Sequence, residues 1–145
     1  MWVETIINQR SLCVVPVGIF INKNTVEFER VVMPFFSQKD SFLVEYIQRL
    51  IKNSGIQITV TDPNNLIIKN TLLKETIRAI EQEAPNYITL NNSVVLDGKF
   101  ISQFQLMVIS TYGWNKLLDL QPKWLDQTPS ILIIQEKGGF GIQTN

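Results

Sequence analysis

The sequence predicts an α+β fold, a largely antiparallel sheet of six to eight strands with two main helices packed on one face. Three observations lead there. Two segments, Gln38–Asn53 and Thr71–Glu83, repeat apolar residues at the three- and four-residue spacing of an amphipathic helix. Most other apolar segments are short runs or alternations of strand length. Asparagine, glycine and proline interrupt them at close intervals, as turns do. With 145 residues, 45% of them hydrophobic, the chain reads as a single globular domain, 1–145, able to bury a core without disulfides or a structural metal.

In order along the chain, Trp2–Gln9 fits a short opening helix. Leu12–Phe20 fits a strand that Pro16 confines to an edge or a bulge, because proline cannot donate to a ladder. Asn22-Lys23-Asn24 makes a turn and Thr25–Met33 alternates, so these two strands are expected to form a hairpin. Ser37 and Asp40 have the spacing of a capping box at the start of the first main helix, and Gly55 can close its end in the left-handed conformation. Ile56–Thr61 alternates as a strand, and Asp62-Pro63-Asn64-Asn65 turns it into a short returning strand, Leu66–Ile68. The second main helix follows and stops at Pro85.

Beyond it a meander is expected. Tyr87–Leu90 and Ser93–Leu96 are short strands, and Asp97-Gly98 is the strongest hairpin signal. Lys99–Thr111 is expected as a strand, apolar on both faces over Leu106–Ile109 and therefore central and covered on each side. Tyr112–Ser130 has no long period of either kind, and Asn115–Leu120 could make only a turn or two of helix. Ile131–Gln135 is a last strand, which Gly138-Gly139 turns back towards Phe140–Ile142.

Composition and motifs exclude more than they identify. Thirteen basic residues balance thirteen acidic ones, and no three basic residues cluster, which argues against a nucleic-acid partner. There is no histidine, so no serine–histidine or cysteine–histidine relay can form within the chain. The single cysteine, Cys13, sits among apolar residues and reads as a buried hydrophobe, with no metal cluster in prospect. Glu27 and Glu29 share a strand face, where carboxylates ordinarily serve solubility. The glycines at 138–141 lack the Lys-Ser/Thr ending and the following helix of a phosphate loop. No catalytic residue and no cofactor is expected.

Glu4 precedes the first basic residue, the wrong order for a secretion leader, and no apolar run is long enough to span a bilayer. An intracellular or virion-interior setting is expected. The residues that fit a core least comfortably are the apolar ones of Tyr112–Leu125 and the Phe35-Phe36 pair. Trp114, Leu117, Leu118, Trp124, Leu125, Phe35 and Phe36 are therefore the candidate partner-binding residues. Trp124, held between Pro122 and Pro129, is the expected anchor, and Trp114 the expected core staple. The function expected is a non-catalytic interaction or assembly protein, binding a protein partner or itself as a subunit of a larger complex. The alternative is a small-ligand or regulatory sensor domain with a cavity between sheet and helices.

Overall fold

The computed structural model describes residues 13–15, 18–23, 27–93 and 95–136. Among them seven strands form one sheet. These are β1 (Cys13–Val15), β2 (Gly18–Ile21), β3 (Arg30–Pro34), β4 (Gln57–Thr61), β5 (Ile88–Asn91), β6 (Leu106–Ser110) and β7 (Ser130–Ile134). Their spatial order is β1-β2-β7-β6-β3-β4-β5. Every neighbouring pair from β7 to β5 is parallel, and only β1–β2 and β2–β7 are antiparallel. The sheet is thus mixed and mostly parallel, which overturns the largely antiparallel sheet expected from the sequence.

The physical reason lies in the strands themselves. β3, β6 and β7 carry unbroken apolar runs, Val31–Met33, Leu106–Ile109 and Ile131–Ile134, and every residue of these runs is buried. Strands covered on both faces need helical crossovers on both faces, and such crossovers return the chain in the same direction. Two apolar clusters accordingly flank the sheet. On the first face Val31, Met33, Ile58, Val60, Leu106, Val108, Leu132 and Ile134 meet Ile47, Leu50, Ile77 and Ile80 of the two main helices. On the second face Val32, Met107, Ile109, Ile131 and Ile133 meet Ile101, Leu117 and Trp124. Helices on one face only were expected; they lie on both.

The helical elements follow from local chemistry. The first main helix opens as a 3-10 helix, Gln38–Leu43, under the Ser37/Asp40 capping box, and continues as α1 (Val44–Ser54). Gly55 ends it with φ at 64°, a conformation that costs glycine no Cβ clash. Leu66–Ile68, expected as a strand, is instead part of a helical turn, α2 (Leu66–Lys69), because the Asp62 carboxylate accepts from the Leu66 and Ile67 amides at 2.9 Å. The second main helix is α3 (Thr71–Glu83), as its spacing predicts.

Asp97-Gly98 does not turn a hairpin. The Asp97 side chain accepts from Phe100 N at 2.8 Å and starts the short helix α4 (Gly98–Ile101), so the strand expected over Lys99–Thr111 begins only at Leu106. Ser110 caps a ten-residue helix, α5 (Thr111–Leu120), where little helix was expected. The expected hairpin of Leu12–Phe20 with Thr25–Met33 is also absent, since β2 pairs with β7 and β3 lies between β6 and β4. The expected helix at Trp2–Gln9 and the turn and strand after Gly138 lie outside the described residues.

Candidate carboxyl-edge site

β3 and β6 are parallel neighbours whose chains leave in opposite directions. From β3 the chain runs into the 3-10 helix and α1, over the first face. From β6 it enters α5, over the second. A reversal of this kind in an open parallel sheet leaves room at the carboxyl ends of the two strands, where ligands are commonly received. The polar interior of the protein gathers at the same edge. Of six buried polar side chains among the described residues, four, Asp40, Thr61, Asp62 and Ser110, lie at or just beyond the carboxyl ends of β3, β4 and β6.

Asp40 is the centre of this edge. Its Oδ2 accepts from Phe36 N at 2.6 Å and from Ser37 N at 3.0 Å, and its Oδ1 accepts the Ser110 hydroxyl. Ser110 Oγ in turn accepts from Gly113 N at 2.9 Å and so opens α5. One carboxylate therefore closes the turn after β3 and holds the first turn of α5 against it. Both side chains have no exposed surface, so Ser110 serves here as a structural link rather than as a nucleophile. Gly113 completes the close approach, because a Cβ there would lie 2.9 Å from Ile109 Cγ1 and 3.1 Å from Phe36 Cδ2.

The rim above this pair is charged and aromatic. The Lys39 ammonium stands 5.1 Å from the centre of the Tyr112 ring, joining the β3 side to the β6 side, and Tyr112 OH donates to Glu136 Oε1 at 3.3 Å. Desolvation of the phenol, with the Glu136 carboxylate beside it, raises the Tyr112 pKa above its ordinary 10, so the group stays a neutral donor through the physiological range. Next along the edge, Thr61 Oγ1 is buried and has no hydrogen-bond partner among the described residues, an arrangement that proteins ordinarily avoid. Asn65, held with φ at 56°, accepts from Asn92 Nδ2 at 2.9 Å and ties the loops after β4 and β5 together. Among the described residues no three acidic or cysteine side chains converge as a metal site.

The residues singled out from the sequence do not form one patch. Phe35 is buried in the first cluster, whereas Phe36, Trp114 and Leu125 are half-buried against the second. Leu117 is buried in that second cluster, and Leu118, 43% exposed, faces outward from α5. Trp124 is only 8% exposed, and its indole N–H donates to the Leu96 carbonyl at 2.9 Å. The burial of the two rings runs opposite to the expected division: Trp124 is buried, and Trp114 is the more accessible ring. The turn closed by Leu125 N donating to Pro122 O at 3.0 Å brings Trp124 to the Leu96 carbonyl.

Sequence reasoning passed over Lys39, Thr61 and Ser110, took Tyr112 only as the start of an unassigned segment, and saw Asp40 only as a helix cap. Their common address is the sheet's carboxyl edge, which exists only once the strand order is known. Comparisons with protein-family models, with curated proteins and with solved structures find no match to this chain.

Proposed function

We propose that this domain binds a small polar molecule at the carboxyl edge of its parallel sheet, between the turn after β3 and the start of α5. The observation that carries the reading is the reversal between β3 and β6, with the buried polar residues concentrated at the same edge. Lys39 supplies a positive charge and Tyr112 a ring and a neutral hydroxyl at the rim, and next along the edge the buried Thr61 hydroxyl has no partner among the described residues. The Asp40–Ser110 link keeps the two sides of the site at a fixed spacing, which lowers the ordering cost of binding. The test is an amide-shift titration with representative sugars, nucleosides, amino acids and small carboxylic acids. Perturbations centred on residues 37–40, 61–65 and 110–113 that disappear in Lys39→Ala or Tyr112→Ala support the site. If none of these classes moves those amides at millimolar concentration, the reading fails.

A second reading is association with a protein partner or a second copy, as a non-catalytic subunit. It is favoured by Leu118, 43% exposed on α5 one turn after the half-buried Trp114, and by Leu120, 61% exposed at the end of the same helix. Light scattering of the wild type and of Leu118→Glu/Leu120→Glu tests it. A complex that dissociates in the double variant supports it, and a wild-type monomer at every accessible concentration, with no partner retained from native extract, removes it.

A further inference from the structure

At the opposite, amino-terminal edge of the sheet the protein has a second concavity, of about 380 Å³, lined by Phe28, Glu29, Arg30, Ser54, Gly55, Gln57 and Tyr87. That volume lies within the range of small-molecule sites. We propose that this cleft binds a small organic cation, an ammonium or guanidinium group carried on a compact body.

Three features of the lining set the sign of the charge. The cleft receives the C-terminal end of α1, whose last carbonyls present the negative pole of an eleven-residue helix. Glu29 adds a carboxylate that is exposed and has no partner among the described residues. Arg30 borders the cleft, yet its guanidinium is engaged elsewhere. It sits 5.1 Å from the centre of the Phe104 ring, in the second cluster, with its Nη1 3.5 Å from the Gln103 carbonyl. Arg30, the basic residue of the lining, thus turns its charge to the other face of the sheet, and Lys52 in the last turn of α1 lines a different concavity, which leaves Glu29 and the helix end to set the charge of the cleft.

Its walls suit such a ligand as well. Phe28 is fixed edge-on to Phe20 with ring centres 6.0 Å apart, and Tyr87 is 40% exposed, so two aromatic rings border a negatively polarised space. A cation over an aromatic face gains more when it is partly desolvated, as it is inside a cleft. The position is also built on rigid backbone. Gln57 N donates to the Glu29 carbonyl at 2.9 Å, and Ile58 N to the Tyr87 carbonyl at 2.8 Å, so three wall residues are held by sheet hydrogen bonds.

The experiment is an amide-shift titration of the full chain with choline and, in parallel, with its neutral isostere 3,3-dimethylbutan-1-ol. Choline is expected to move the amides of Glu29, Gly55, Gln57 and Tyr87, while the alcohol leaves them still. Glu29→Gln and Tyr87→Ala should each weaken the choline response by about tenfold. Both sites are on the surface, and unchanged amide spectra elsewhere will show that the variants fold. Equal binding of the alcohol, an undiminished choline response in Glu29→Gln, or still amides at tens of millimolar choline would overturn the proposal. The readout lies at the edge of the sheet opposite Lys39 and Tyr112, so the result does not depend on the carboxyl-edge reading.

Discussion

The Ser110 hydroxyl donates to the Asp40 carboxylate across seventy residues of sequence, and through that bond the first turn of α5 is tied to the loop that follows β3. Asp40→Ala leaves the amides of Phe36 and Ser37 and the Ser110 hydroxyl without their acceptor in a buried place. The expected loss is about 3 kcal/mol or more, since each buried group left unpaired costs roughly 1–3 kcal/mol. Ser110→Ala should cost about 1–2 kcal/mol, mostly as a lost cap. Urea unfolding of both single variants and the double variant should give a coupling energy of about 1 kcal/mol or more. A coupling near zero would show that the two loops hold their places independently.

For the tryptophans the prediction concerns stability. Trp124→Ala opens a cavity in the second cluster and orphans the Leu96 carbonyl, so it should cost about 3–5 kcal/mol. Trp114→Ala removes a half-buried ring from α5 and should cost about half as much. Thermal unfolding of the pair settles the order, and equal losses would contradict the burial difference.

Gly113→Ala sets two effects against each other. Alanine is favoured over glycine in a helix by at most about 1 kcal/mol, and Gly113 lies in the first turn, whereas overpacking against Ile109 and Phe36 costs roughly 1–3 kcal/mol. A net destabilisation of about 1 kcal/mol is expected. Asn115→Ala, exposed on the same helix, should gain a few tenths of a kcal/mol from propensity alone. If both variants melt above the wild type, the close approach of α5 to β6 is wrong.

Tyr112 gives a pH signature. Its pKa is raised, so the folded state holds the phenol proton more tightly than the unfolded chain does. The contribution to stability is therefore complete below the ordinary tyrosine pKa of 10 and is lost as pH climbs past it, through the folded value. Phenolate absorbance, with Tyr112→Phe subtracted, should place the transition above the ordinary one. Glu136→Gln should bring it down, because that carboxylate is one cause of the shift. A transition that rises on losing Glu136 would reverse the assigned cause.

Much of the local structure was legible. The capping residues Ser37 and Asp40, the closure at Gly55 and the span Thr71–Glu83 follow from rules that act within one or two turns of chain. Even the two-sided apolar run Leu106–Ile109 announced a covered central strand. Strand direction was not legible, because a short apolar run looks the same whether its neighbour is parallel or antiparallel. Asp97-Gly98 and Leu66–Ile68 show the same limit at a smaller scale. A carboxylate that could turn a hairpin instead capped a helical turn in each case. The candidate site was hidden for a related reason: Lys39, Thr61, Ser110 and Tyr112 sit at strand ends and helix starts that only the sheet order brings to one edge.

The pairing of β3 with both β4 and β6 also has a consequence in time. As the chain is made, β3, β4 and β5 can assemble with α1 and α3 long before β6 exists. Until Leu106 and Met107 arrive, the inner border of β3 at Val31 and Val32 stands open, with unsatisfied amides and bare apolar side chains. The joins most distant in sequence are Gly18 with Ile134 and Val31 with Leu106, whose loop closure is slow relative to helix formation. A half-sheet formed in this order would be open to intermolecular strand addition until β6 docked. Expression yield should therefore respond to substitutions that delay β6, such as polar replacements at Val108, more sharply than the equilibrium stability of the finished fold alone implies.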